Sequence, residues 1–381
     1  DGGTWWLMSN AAGINSFPFS AYMTGPFVCQ VAANSAGDVL TFKIDKLEPN
    51  SSTAVTVSSL MSTTVTETSA LCTGPDNVNQ SFFPISQGEA FRINVNSSGG
   101  YIGVNGWSGY TVGVAGQAVA SGSTPATVPT VTTDFGSWGN FFSFATATDE
   151  EHKVVPWPAA GTFSRLCVST SGTQPATGSL VATIRTGATF GAMANTALTV
   201  TLAPSALAGH YCSGGLSASI NSGELVSYSV VNNAATASAT INTLSARFLP
   251  SSSTVRGVLA FPIAGTTMTA AATRYMGGFT SGNAYQAAEA DTWLPAPYSF
   301  TASNGMCYLR TSPTNAATVT LRKNAASAGM AVTIPGASAT GIYALTGTAA
   351  YIPLDRFDME VVAGAATAPQ FSACALRVDA S

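Results

Sequence analysis

Four landmarks recur three times in the same order, and that recurrence limits the fold more than any other feature of the chain. A proline (Pro18, Pro156, Pro295) precedes an apolar run that holds a cysteine. The three runs are Phe27-Val28-Cys29-Gln30-Val31, Arg165-Leu166-Cys167-Val168 and Gly305-Met306-Cys307-Tyr308-Leu309. A turn then leads into an alternating run: Asp38 to Ile44, Leu180 to Arg185, and Thr318 to Arg322. Later an acidic residue in a turn (Glu89, Glu224, Asp355) opens another strand-like run. The copies lie roughly 135 residues apart, which means tandem domains rather than a solenoid of small repeats. A chain of 381 residues has room for them.

Each copy reads as β structure. Leu198-Thr199-Val200-Thr201-Leu202 and Val226-Ser227-Tyr228-Ser229-Val230 alternate with period two. Turns such as Ser213-Gly214-Gly215 and Asn221-Ser222-Gly223 separate the runs, and no long segment carries helical periodicity. The expected fold class is all-β: three tandem β-sandwich domains, jelly-roll-like, with an immunoglobulin-like sandwich as the alternative. Low-complexity stretches set the boundaries. Residues 1–120 form the first domain, 121–133 a linker, 134–249 the second, 250–254 a linker and 255–381 the third.

The six cysteines fall two per copy. Cys72 and Cys212 sit in similar contexts, Ala70-Leu71-Cys72-Thr73-Gly74 and His210-Tyr211-Cys212-Ser213-Gly214. In the third copy that place is Tyr343-Ala344-Leu345, without Cys, and Cys374 appears in the terminal run instead. A second site that moves while the first stays fixed is better explained by disulfides than by buried free thiols. The expected bridges are Cys29–Cys72, Cys167–Cys212 and Cys307–Cys374, which imply an oxidising, extracellular setting.

The chain offers little to an enzyme. Only His152 and His210 are present, and no nucleophile-elbow, zinc-protease, P-loop or EF-hand pattern occurs. Asp149-Glu150-Glu151-His152-Lys153 is the densest charge cluster. It is read as a solvated strand end or interdomain loop, with a hard-cation site as the alternative. Glu289-Ala290-Asp291 holds the related place in the third copy. His210 is read as a turn residue. No metal and no cofactor are expected. Trp5, Trp6, Trp107, Trp138, Trp157 and Trp293 could build a sugar-stacking platform. The prolines beside Trp157 and near Trp293 favour packing at a sandwich end or domain junction. Asn50, Asn79 and Asn96 head Asn-X-Ser sequons, weak signals in so Ser-rich a chain.

Composition narrows the function. Charged residues make up 8%, as 14 Lys and Arg against 18 Asp and Glu, so a nucleic-acid partner is not expected. No apolar run reaches the roughly 18 residues of a membrane span. A surface of Ser, Thr, Ala, Gly and Asn loses few rotamers and desolvates few ions on contact, which suits close subunit packing. The expected protein is a non-enzymatic structural part of an extracellular assembly. Its partners are copies of itself and other surface proteins, with a glycan as a further candidate. A prokaryotic surface-layer or filament subunit and a secreted carbohydrate-binding adhesin are the alternatives. A filament subunit would use a terminal segment, Asp1 to Asn10, to complete a neighbour's sheet.

In its three sandwiches, its Ser/Thr/Ala-rich connecting stretches and strands such as Ala182-Thr183-Ile184-Arg185 before Gly187, the chain resembles tandem β-sandwich proteins of virus particles. These are capsid decoration proteins, fibres and tail components of bacterial viruses. The resemblance spans the chain without a family-specific motif, so it transfers no functional residue. It implies a virion-exterior role, commonly as a homotrimer.

Overall fold

The structure is a computed structural model. It describes residues 116–381 apart from 139–146, 171, 264–266 and 278–284, and in residues 1–115 the backbone of nine strands. The alternating runs noted above form strands. The first unit holds β1 (Thr4–Leu7), β2 (Asn15–Ser16), β3 (Ala21–Gln30), β4 (Leu40–Leu47), β5 (Thr56–Val65), β6 (Cys72–Thr73), β7 (Phe83–Ile85), β8 (Ala90–Ser97) and β9 (Val104–Val112). The second holds β10 (Gln117–Val128), β11 (Thr132–Gly136), β12 (Val155–Trp157), β13 (Gly161–Thr170), β14 (Leu180–Gly187), β15 (Ala194–Leu202), β16 (Gly209–Cys212), β17 (Ser217–Ile220), β18 (Glu224–Asn232) and β19 (Ala239–Pro250). The third holds β20 (Val255–Pro262), β21 (Thr273–Met276), β22 (Leu294–Pro295), β23 (Phe300–Thr311), β24 (Ala317–Lys323), β25 (Ala326–Ile334), β26 (Gly341–Ala344), β27 (Ala349–Tyr351), β28 (Arg356–Ala363) and β29 (Gln370–Ala380).

Among the described residues six antiparallel sheets form, two per unit, and their order repeats. The second unit pairs β10-β19-β13-β16, with β17 also on β13, and β11-β18-β14-β15, with β12 also on β18. The third repeats this as β20-β29-β23-β26, with β27 on β23, and β21-β28-β24-β25, with β22 on β28. The first reads β1-β9-β3-β6, with β7 on β3, and β2-β8-β4-β5. In every unit the first strand pairs the last and the second pairs the one before it. The cysteine-bearing strand (β3, β13, β23) pairs the short strands that precede the penultimate one. A long hairpin wrapped on itself in this nested way is a jelly roll, which decides against the immunoglobulin-like alternative. The three landmark strands occupy equivalent places in all units: β3, β13 and β23, then β4, β14 and β24, then β8, β18 and β28.

The stretch expected as a linker, 121–133, is instead part of β10 and the start of β11. Its Ser, Thr, Pro and Ala side chains suggested an unstructured crossing. The backbone is nonetheless paired with β19 as far as Val128, apart from an irregularity between Gly122 and Ala126, and after a short turn Thr132 and Thr133 pair with β18. The second unit therefore begins at Gln117, not at residue 134, and the first ends earlier than residue 120.

Cores form between the two sheets of each described unit. In the second, Trp157 meets Phe248 edge-on at 5.1 Å and lies 5.0 Å from Phe163, with Trp138 stacked on Phe163. In the third, Phe300 stacks on Tyr351 at 4.9 Å and meets Phe357 edge-on. The short strand carrying Trp157 thus plugs one end of its own sandwich.

The units dock cyclically. β2 of the first lies against β10, β13 and β19 of the second; β12 of the second lies against β20, β23 and β29 of the third; and β22 of the third lies against β3 and β9 of the first. The opening strands β1, β10 and β20 approach one another where the three units meet. This is a ring with approximate threefold repetition inside one chain.

Replacing Trp157 with Ala should remove about 3–5 kcal/mol of stability, because a fully buried indole leaves a cavity its neighbours cannot fill. The check is the denaturant midpoint; a shift typical of an exposed position would contradict the assigned core.

Candidate functional site

The best-described contact of the ring joins the second and third units, and it rests on a turn of the second unit held by a device that the third unit repeats. Arg185 on β14 forks onto Glu150 in the 3-10 turn Ala147–His152, with Nε to Oε1 at 2.6 Å and an Nη2 bond to Oε2 at 3.1 Å. Ser227 on the neighbouring strand donates to the same carboxylate at 2.8 Å. The pair is sheltered: Glu150 is buried, and Arg185 also donates to the Met193 carbonyl. Arg322 on β24 repeats the fork onto Glu289 in the turn Glu289–Thr292, at 3.1 and 3.2 Å. There Thr292 donates to Asp358, which stands at the strand position of Ser227. Burial pushes the Asp358 carboxyl up to about 8.

Held this way, the turn Ala147–His152 presents its far side to the third unit. Tyr308 of β23 donates to Glu151 at 3.0 Å, and Ser372 of β29 donates to the Glu151 carbonyl. Arg310 donates to His152 Nε2 at 2.5 Å. Burial, then the Arg310 charge, holds the His152 imidazole below its ordinary value. Beneath these bonds the contact is apolar and small. Val258, Ala260, Ala373 and Ala375 of the third unit are buried in the core of the second, and Val154, Leu225 and Tyr308 form a further patch. At one edge Gln117 acts as a short strand: its amide oxygen accepts from Val258 N and its amide nitrogen donates to Val258 O, both at 2.7 Å. A Cβ on Gly257 would lie 2.6 Å from that amide oxygen, so a side chain there would push the Gln117 amide off Val258. On the other side Asn304 donates to Pro158 O at 2.5 Å and to Ser222 Oγ at 3.1 Å.

Of the two expectations for the charge cluster, a solvated strand end and an interdomain loop, the structure has the second. Glu150 and Lys153 are buried, and the cluster makes an interdomain contact. Its carboxylates also diverge, Glu150 toward Arg185 and Glu151 toward Tyr308, so they do not converge on a hard cation. Asp1 to Asn10 contains β1, which pairs with β9 of its own unit rather than standing free. Trp138 and Trp157 are sealed in the core, and Trp293 lies under the Arg356 guanidinium at 4.0 Å, so none of the three is open to stack a sugar. Trp5, Trp6 and Trp107 lie in β1 and β9, but their side chains fall outside the described residues.

Cysteine pairs Cys167–Cys212 and Cys307–Cys374 are disulfides. The first bridges β13 to the sheet-edge strand β16; the second bridges β23 to β29 in the sheet centre. This is the change of partner foreseen from the moved second cysteine. Cys29 and Cys72 are register partners on β3 and β6, while their side chains lie outside the described residues. His210 is not a turn residue: it sits in β16, two positions before Cys212, on the same face. Its Nδ1 lies 2.9 Å from Ser169 Oγ and its Nε2 lies 3.1 Å from Cys212 Sγ. Burial holds its pKa down at about 4. Cys167, His210 and Cys212 are the group among the described residues whose donor atoms lie close enough to share a metal ion.

No protein-family model matches the sequence, and no curated protein matches it either. Among solved structures, the chain is similar to one described as "The Triple Jelly Roll Fold and Turret Assembly in an Archaeal Virus", at 9% identity over 98% of this chain and 81% of that one. The TM-score is 0.17, and a superposition that loose carries no argument. The jelly-roll assignment rests on the strand order above.

Two outcomes follow from the junction. Replacing Arg185 with Ala leaves the Glu150 carboxylate sheltered without its cation and should cost about 3 kcal/mol; replacing Glu150 and Arg185 together by apolar residues should cost less, as a double-mutant cycle would show. The second outcome concerns acid. The folded His152 pKa lies below the unfolded value of about 6.5, so the unfolded chain takes up the proton first and stability falls as pH drops below that value. Comparing thermal midpoints of the wild type and His152→Gln from about pH 7 to about pH 5 isolates this contribution. Parallel curves would refute it.

Proposed function

We propose that the chain is a non-enzymatic structural component of an extracellular assembly, specifically of a virion exterior, as a capsid decoration or fibre protein. The observation that carries this reading is the ring of three jelly rolls docked through a repeated contact. Jelly rolls are a shell-building and lectin architecture. Three of them about one axis give a single chain the outline of a trimer, which fits the threefold positions of a closed shell. The two disulfides add cross-links that persist in an oxidising medium. Low charge supports the reading as well, because contacts poor in ions lose little to desolvation.

Its partners in this reading are further copies of itself and other virion or cell-surface proteins. Each specific contact should bury more than about 1,000 Å² and respond little to salt, since apolar contacts are not screened. Electron microscopy of the source particles, with sedimentation of the purified chain across salt concentrations, tests this. Density for the ring on a particle surface is the expected result. A chain that stays monomeric at high concentration and binds no particle would overturn it, and selective binding on a glycan array would favour the adhesin alternative.

A further inference from the structure

We propose that Cys167, Cys212 and His210 form a redox-gated site for a thiophilic divalent cation, Zn2+ by its donor set, closed by the disulfide and opened by its reduction. The geometry points there in four ways. Cys167 and Cys212 are direct register partners on β13 and β16, and His210 lies two residues before Cys212 on the same face, so three donors share one patch of sheet. Two thiolates and one imidazole are the ligands of a tetrahedral zinc site that leaves a fourth position for water. Ser169, the register partner of His210, holds Nδ1 and leaves Nε2 turned to the sulfurs, the second-shell arrangement that orients a metal-bound imidazole. On the other side of Cys167, its register partner Ser245 keeps a buried hydroxyl with no hydrogen-bond partner among the described residues, available to a thiolate or a bound water.

The site belongs to the second unit. In the first, Ala70 stands two residues before Cys72, where His210 precedes Cys212. In the third, the cystine spans the central strands β23 and β29 within the apolar core, and the unit contains no histidine. Strand β16 is the edge of its sheet, and His210 and Cys212 are half-buried, so an ion can enter from that edge.

The chemistry balances as follows. A dithiol delivers two electrons and two protons to the Cys167–Cys212 bond and becomes a disulfide itself, leaving two protein thiols. Zn2+ then displaces both thiol protons to solvent and takes the lone pair of His210 Nε2. In reverse, a small-molecule disulfide accepts two electrons from the thiolates, the protein S–S bond reforms and Zn2+ departs. The strap between β13 and β16 is thus a metal in a reducing compartment and a covalent bond in an oxidising one.

The test uses the full chain, reduced anaerobically with a phosphine that becomes its oxide with oxygen from water, then freed of reductant. Co2+ is titrated in as a spectroscopic probe and Zn2+ follows. The expected result is one equivalent of Co2+ per reduced chain, with thiolate charge-transfer and tetrahedral ligand-field bands that Zn2+ erases. The oxidised chain should show neither. His210→Ala, which installs the side chain found at the same place in the first unit, should weaken binding at least about tenfold, and Ser169→Ala by about tenfold. Absence of thiolate bands in the reduced wild type would overturn the proposal, and so would bands that His210→Ala leaves unchanged, which would place the metal at other cysteines. Should reduction unfold the chain, recovery of β-sheet circular dichroism on adding Zn2+ to the wild type but not to His210→Ala would support the site, and no recovery would sink it.

Discussion

The arginine fork on the fifth strand of the wrapped hairpin is the interaction on which the junction between the second and third units depends. A 3-10 turn of a few residues makes few backbone bonds; in Ala147–His152 the chain even kinks at Asp149. Such a turn would not hold a fixed position on its own. The bidentate Arg185–Glu150 pair fixes it, because a planar guanidinium meets a carboxylate in one orientation and the pair is partly removed from water. The turn's remaining groups, Glu151 and His152, then meet Tyr308, Ser372 and Arg310 in register. Arg322 and Glu289 reproduce the fork in the third unit, whose adjoining strand β22 faces the first.

Small side chains do the complementary part. Ala260, Ala373 and Ala375 on the outward side of the third unit's sheet let the second unit approach closely, where longer side chains would hold the sheets apart. Apolar area removed from water stabilises the contact by about 25 cal/mol per Å², and little rotamer entropy is lost in forming it. The scarce charges are concentrated rather than scattered: Arg185, Glu150, Glu151, Arg310, Arg322 and Glu289 all serve a turn or a junction.

Much of this was legible in the sequence. Period-two alternation and the recurring Pro, Cys and acid landmarks gave the strands, their threefold repetition and the equivalence of β13 with β23. The displaced Cys374 pointed to a change of disulfide partner, and that was legible because a cystine needs two strands side by side. The strand β10 was hidden because Ser, Thr and Pro in a run look alike whether they cross solvent or pair at a sheet edge. The arginine fork was hidden for a different reason. Arg185 and Glu150 come from separate segments, and only the wrapped hairpin brings them together. His210 looked like a turn residue because Gly214 and Gly215 follow closely, yet the turn begins only after Cys212.

The nested pairing sets an order of events during synthesis. The first strand of each unit finds its partner only when the last has left the ribosome, so no unit can seal its sandwich until all of its residues are present. At about 5–20 residues per second, each unit waits many seconds with apolar strands unpaired. The ring adds a longer delay, since the first unit receives β22 only after the third unit emerges. High contact order of this kind slows folding. A disulfide-forming catalyst or a chaperone would therefore meet this chain as a queue of half-wrapped hairpins, with the first unit waiting for its contact with the third until the end.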